Sequence, residues 1–125
     1  MICLGVDYGR KRIGLALSAN GFVRPIGFIV SDKEKKRALL KIGEICRREN
    51  VMKVIVGWSR GKMGLEIRSF VDELRKMVKL PVELIDETLT SWQAERMVGW
   101  RDKGKVDAVA AALILERYLD KLTFN

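Results

Sequence analysis

Four acidic residues stand where apolar runs begin or end: Asp7, Asp86, Glu87 and Asp107. Asp7 closes the run Ile2-Cys3-Leu4-Gly5-Val6, Asp86-Glu87 close the run from Pro81 to Ile85, and Asp107 opens the last apolar helix. A buried carboxylate without a partner costs too much to be core, so each acid must meet a cation, a donor cluster or water. An Asp-x-Gly step is also an ordinary turn, and Asp7 alone argues little. Carboxylates brought together raise one another's pKa unless a cation neutralises them. An oxygen-only donor set favours Mg²⁺ or Mn²⁺ over zinc or copper. Two such ions, about 3.5–4 Å apart, clamp the attacking and leaving oxygens of a phosphodiester displacement. The chain has no histidine. That excludes Ser-His-Asp and Cys-His catalysis, His-ligated zinc and an imidazole base.

The cations fit a polyanionic partner. With 24 Lys and Arg against 16 Asp and Glu, the net charge is +8, and a basic surface on a small domain points to nucleic acid. Arg10, Lys11 and Arg12 follow Asp7 directly, placed to hold flanking phosphates. Arg60 and Lys62 lie in a glycine-bearing loop, and Lys105 lies just before the last helix. Any of these could equally be solvated. Tyr8 either stacks on a base or fills its turn. Trp58 and Trp100 sit in loops where stacking would contribute roughly 1–3 kcal/mol each, whereas Trp92, in a helix's first turn, should pack.

These side chains must be positioned by regular elements. Ile2–Val6 and Ile13–Leu17 read as a β-hairpin around a basic turn, the first strand apolar enough to be central. Gly9 suits a tight turn or the close approach of another backbone. Gly21-Phe22-Val23 and Pro25 through Val30 suggest a third strand, which Pro25 places near an edge or makes irregular. Ser31-Asp32-Lys33-Glu34 has capping-box spacing and starts a helix ending near Asn50. A strand over Val54–Gly57 opens into a loop to Gly64. A helix follows, with Ile67, Phe70, Val71, Leu74 and Met77 on one face. Then come a strand from Pro81 to Ile85, a short helix from Thr90 to Gly99, and a final helix from Val106 to Leu119 facing inward with Val106, Val109, Ala110, Leu113 and Ile114. A meander followed by alternating helices and strands implies a mixed sheet flanked by helices, with ligands beyond the carboxyl ends of its parallel strands. If the first and last strands are parallel and central, Asp7 and Asp86-Glu87 share a rim. The small Ala110 and Ala111 let the last helix bring Asp107 there. On an extended strand Asp86 and Glu87 face opposite ways, so only one joins easily. Cys3 and Cys46 read as small core residues, not a disulfide. The length of 125 residues fits one domain, 1–125. No run is long enough to span a membrane, and Met1 leads straight into a strand with no leader pattern. A cytoplasmic chain is expected.

Asp7-Tyr8-Gly9-Arg10-Lys11-Arg12-Ile13-Gly14-Leu15-Ala16, Val54-Ile55-Val56-Gly57, Asp86-Glu87-Thr88-Leu89-Thr90-Ser91 and Lys103-Gly104-Lys105-Val106-Asp107-Ala108-Val109-Ala110-Ala111 together resemble the YqgF (RuvX) family. The resemblance spans nearly the whole chain. It implies an α/β, RNase H-like fold with a mixed five-stranded sheet and a metal-dependent endonuclease using Mg²⁺ or Mn²⁺. The implied substrate is structured RNA, in maturation of the 5′ end of pre-16S ribosomal RNA on a pre-ribosomal particle, or branched DNA at a Holliday junction. It implies Asp7, Glu87 and Asp107 as catalytic metal ligands, with Asp86 the alternative to Glu87. Four positions depart from the pattern: Thr88 replaces a usual arginine, Trp58-Ser59 replaces a leucine-proline pair, and Ala110 stands where junction resolvases carry a further acid. A non-catalytic RNA-binding assembly factor is a second reading, and a half-length relative of the sugar kinase and actin fold is a third. The chain alone leaves monomer or homodimer open.

Overall fold

The computed structural model describes residues 1–31, 35–58, 62–86 and 103–124. Five strands, β1 (Cys3–Asp7), β2 (Arg12–Ala19), β3 (Phe22–Val30), β4 (Lys53–Trp58) and β5 (Val82–Asp86), form one sheet ordered β3-β2-β1-β4-β5. The first three strands meander antiparallel, and β4 and then β5 add parallel to β1. Helix α1 (Lys35–Arg48) leads to β4, α2 (Lys62–Val78) leads to β5, and α3 (Lys103–Phe124) follows. The expected mixed sheet with flanking helices is what the chain builds.

Side-chain alternation along each strand sorts the core into two layers. Leu4, Val6, Ile13, Leu15, Val54 and Val56 pack with residues of α1 and α2 on one face. Cys3, Ala16, Ile55 and Ile85 pack under α3 on the other. Strand β1 is covered on both sides, with Cys3, Leu4 and Val6 wholly buried, which is why its run is almost unbroken in hydrophobicity. The central position expected for the last strand is corrected: β5 is parallel but lies at the sheet's edge. At the other edge, β3 slips register between Leu15 and Ala16, whose partners jump from Gly27 to Pro25. A proline without an N–H is tolerated at such a bulge on an outer strand.

Helix α1 buries Leu39, Ile42 and Cys46, and the chain leaves it through Asn50 at φ 56°. Helix α2 begins at Lys62, inside the stretch expected as loop, and buries Ile67, Phe70, Val71 and Leu74. Helix α3 is longer than expected at both ends. Its sheet-facing stripe is also rotated from the expected one: Ala111, Ile114, Leu115 and Tyr118 are buried there, while Val109 and Leu113 are only half-buried. Asp107 lies one turn before Ala111, at the head of that stripe.

Two expectations arise from this packing. Gly43 lies within α1, and a Cβ there would meet Arg47 Nη1 at 3.5 Å and Met77 Cγ at 3.7 Å, both ordinary contacts. Glycine in a helix interior costs roughly 0.5–1 kcal/mol relative to alanine, so Gly43→Ala raises the unfolding midpoint by a few degrees, measurable by calorimetry. Cys3 and Cys46 are free and buried. Burial pushes the Cys46 thiol up to about 11 against the lowering charge of Arg47, and pushes Cys3 up as well. Thiolate is the reactive form, so neither cysteine reacts within minutes with Ellman's reagent at pH 8 in the native protein. Both react after denaturation.

Candidate active site

The two outer acids meet because glycines clear a path for α3. Cys3, Gly5 and Asp7 alternate onto the α3 face of β1. A Cβ on Gly5 would lie 2.6 Å from Leu115 Cγ and 2.8 Å from the Ala111 carbonyl oxygen, so the helix rests directly on the strand. Gly14 of β2 pairs with Asp7. A Cβ on Gly14 would lie 1.9 Å from the Asp107 carbonyl oxygen, so the backbone of Asp107 occupies the space above Gly14. Directly opposed residues in an antiparallel pair hold their Cβ positions about 5 Å apart on the same face. Asp7, buried to 9% exposure, and Asp107 are therefore neighbours at the carboxyl end of β1. Asp107 is the fifth residue of α3, deeper in the helix than expected.

Arg12, expected either to hold a phosphate or to be solvated, is paired with Asp107. It precedes Gly14 by two residues and so shares its face. Its Nε donates a hydrogen bond to Asp107 Oδ2 at 2.6 Å, joining residues 95 apart. The side chains are 32% and 22% exposed.

The rest of the turn is clamped from outside. Arg10 Nε donates to Glu66 Oε2 at 3.0 Å, and that bond raises the Arg10 pKa. Lys35 Nζ donates to the Arg10 carbonyl at 3.2 Å and to Ser31 Oγ at 2.7 Å. The Ser31 N–H donates to the Lys11 carbonyl at 2.8 Å. Tyr8 fills the turn and does not offer itself for stacking: it is buried, packs on Phe70 with ring centroids 4.7 Å apart, and carries Lys35 Nζ over its ring at 5.0 Å. Burial first, and then the charge of Glu66, pushes its phenol pKa up. Gly9 is required by close approach, since a Cβ there would lie 2.4 Å from the Arg12 carbonyl. Lys35 and Glu66 went unnoticed in the sequence and Ser31 was read only as part of a capping box, because the turn they hold is remote from them in the chain. Lys11 is exposed at the tip of the turn.

The strand register levels Val6 with Val56 and Leu84, and so sets Ile85 opposite Asp7 across β4. Two strand spacings separate them, about 10 Å. Ile85 packs under α3. Asp86 shares parity with Val82 and Leu84, which pack toward α1 and α2, so it belongs to the face away from Asp7. It is exposed, and its carbonyl accepts a bond from Arg117 Nη1. Glu87, Thr88, Arg60, Trp92 and Trp100 lie outside the described residues, as do the capping box at 32–34 and the short helix expected from Thr90. Lys62 is the first residue of α2. Lys105 is exposed and lies within α3, not before it. Trp58 is half-buried against the core, with the Arg68 guanidinium 5.8 Å over its ring, which makes it a packing residue. Ala110 is fully buried.

The donors at this rim are all oxygen, as a hard divalent cation requires. Among the described residues no three Asp, Glu, Cys or His side chains group closely enough to hold an ion. Asp7 and Asp107 supply two members of such a set, and the third, expected at Glu87, lies outside them. In residue type, the carboxylates Asp7 and Asp107 fit a hard divalent cation.

A mixed five-stranded sheet ordered β3-β2-β1-β4-β5 and flanked by helices is the RNase H-like fold of the resolvases. RuvC of T. thermophilus in complex with a Holliday junction substrate superposes with a TM-score of 0.63 at 16% identity, over 98% of this chain and 97% of that one. The fowlpox virus Holliday junction resolvase superposes with a TM-score of 0.62 at 16% identity, over 98% and 99%. Such identities speak for the fold. The family itself is shown by sequence: the RuvX (Holliday junction resolvase) family model matches residues 1–121, and the chain belongs to that family. A relative from Trichormus variabilis, named "Putative pre-16S rRNA nuclease", is 36% identical over 94% of this chain and 86% of its own length. Among the described residues no helix is long and apolar enough to cross a membrane.

Proposed function

We propose that this protein is a metal-dependent nuclease, acting in the cytoplasm on structured precursor RNA of the small ribosomal subunit. Residues 1–125 serve as one catalytic domain. The observation that carries this reading is the meeting of Asp7 and Asp107 on one face at the strand end, in a chain of this family. Asp7, Asp107 and Glu87 would hold Mg²⁺ or Mn²⁺, which when bound lowers the pKa of water and polarises a phosphoryl oxygen. Asp86, on the opposite face by parity, is the weaker alternative to Glu87. Arg10, Lys11, Arg12 and Lys105, with Arg60 and Lys62, bind the phosphates flanking the cleaved bond and fix its register. The aliphatic and aromatic packing under Tyr8 keeps the turn that carries those cations rigid beside Asp7. With no histidine in the chain, carboxylate oxygens at the rim are the proton acceptors the protein can offer to the attacking water.

Junction resolution is the second reading, favoured by the family's description and by the fold shared with RuvC. Against it stands Ala110, buried where a further acid would be needed. Two symmetric cuts also require a symmetric dimer, whereas trimming one RNA end needs one site. The test is cleavage of a structured 16S precursor RNA and of a four-way DNA junction, in Mg²⁺, in Mn²⁺ and in EDTA, with the mass in solution measured alongside. Divalent-dependent cutting of the RNA by a monomer is expected. Paired cutting of the junction by a dimer would move the assignment to the second reading. Salt-sensitive RNA binding with no cleavage in any metal would leave an assembly factor.

A further inference from the structure

The structure gives Asp107 a partner that the proposed reaction does not need. On the reading above, which this inference rests on, Asp107 offers oxygen to a divalent cation. Its Oδ2 instead already accepts a 2.6 Å bond from Arg12 Nε. We propose that Arg12 is a displaceable counter-ion: it neutralises Asp107 in the metal-free protein and passes to a nucleic-acid phosphate once the cation has loaded.

The contact is built in by backbone elements and does not depend on a chance rotamer. Arg12 is the first residue of β2, held by pairing with Val30. Two residues on, Gly14 carries the Asp107 backbone against it. Both ends of the pair are thus fixed before either side chain is placed. The bond uses Nε and one carboxylate oxygen. A single-point contact is exchanged more readily than a two-pronged guanidinium–carboxylate fork. Both side chains reach solvent, so exchange needs no unfolding. Arg10, two residues earlier, is held by Glu66 of α2, so it does not compete for Asp107. Lys11 between them is exposed, and a released Arg12 joins it on the nucleic-acid side.

Two consequences separate a counter-ion from a prop. A positive charge bonded to a ligand oxygen opposes an incoming dication, so its removal strengthens metal binding. A prop would do the reverse, since the carboxylate would lose its orientation. The second consequence is coupling: because loading the cation frees a guanidinium, metal and nucleic acid bind with positive cooperativity.

Free Mn²⁺ is followed by electron paramagnetic resonance during titration of the wild type, Arg12→Gln, Arg12→Lys and Asp107→Asn. Thermal unfolding of each variant checks the fold. Arg12→Gln is expected to bind Mn²⁺ ~10-fold tighter than the wild type, Arg12→Lys within about twofold of it, and Asp107→Asn more weakly. In a second arm, structured RNA is titrated with and without Ca²⁺. The cation-dependent gain in RNA affinity is expected to be at least ~3-fold larger for the wild type than for Arg12→Gln. Unchanged or weaker Mn²⁺ binding by Arg12→Gln, or an Arg12→Lys that behaves like the glutamine variant, overturns the counter-ion role and leaves the nuclease reading standing. Failure of the wild type and Arg12→Gln alike to bind Mn²⁺ overturns the metal-dependent reading and this inference with it.

Discussion

Asp7→Asn is expected to lower the single-turnover cleavage rate by about 10³-fold and to leave the unfolding midpoint within a few degrees of the wild type. The carboxylate closes the central strand, pairs across to Gly14 and lies beside Asp107 at 9% exposure. Asparagine fills the same volume and keeps hydrogen-bonding capacity but carries no charge. What disappears is the anionic oxygen that a divalent cation needs. Charge stabilisation through such an ion is worth several kcal/mol, and each 1.36 kcal/mol is tenfold in rate. The isosteric change introduces no clash, so little effect on the fold is expected. The measurement is RNA cleavage at saturating enzyme in Mg²⁺, beside calorimetry of both proteins. A decrease of less than tenfold would show that Asp7 is not a metal ligand and that the measured cutting comes from elsewhere.

Gly14→Ala is the second large effect, and here the fold and the site fail together. A methyl group on residue 14 would lie 1.9 Å from the Asp107 carbonyl oxygen and 2.3 Å from its carbonyl carbon. Those are backbone atoms of a helix that is also seated at Gly5, so no side chain can rotate to make room. The head of α3 must lift off the sheet. Overpacking of this kind costs typically 1–3 kcal/mol, and a displacement of an active-site group by ~1 Å can cost 10²-fold in rate. Gly14→Ala is therefore expected to lower the unfolding midpoint by several degrees and cleavage by about 10²-fold. Gly43→Ala, the same change in α1 with only ordinary contacts, moves stability the other way. Equal stability of Gly14→Ala and wild type would mean that α3 is not seated on β2 as described.

Much of the site was legible because it rests on short-range rules. Asp7 was visible as a charge ending an apolar run, and Gly9 as a residue that a tight turn requires. Parity on one strand let only one of Asp86 and Glu87 join Asp7 easily, the family resemblance and not parity favoured Glu87, and the register puts Asp86 on the α1 and α2 side. Where the sequence left alternatives open, packing at long range added what was lacking. Tyr8 could have stacked on a base until Phe70 and Lys35, from two different helices, closed over it. Arg12 looked like one of three equivalent cations in a turn, until α3 delivered Asp107 to it from the far end of the chain.

What the amino-acid order determined by itself was the list of parts: a central apolar strand ending in an acid, a basic turn, an alternating succession of helices and strands, and a chemistry restricted to oxygen ligands by the lack of histidine. These follow from periodicity, turn stereochemistry and composition, which act over a few residues. Only the tertiary structure decided which acids meet, which cation is already committed, and how close α3 lies to the sheet. Those outcomes depend on a helix seating itself over Gly5 and Gly14. A glycine in a strand does not announce what will approach it, because the missing side chain permits contact with any backbone that the rest of the fold brings there.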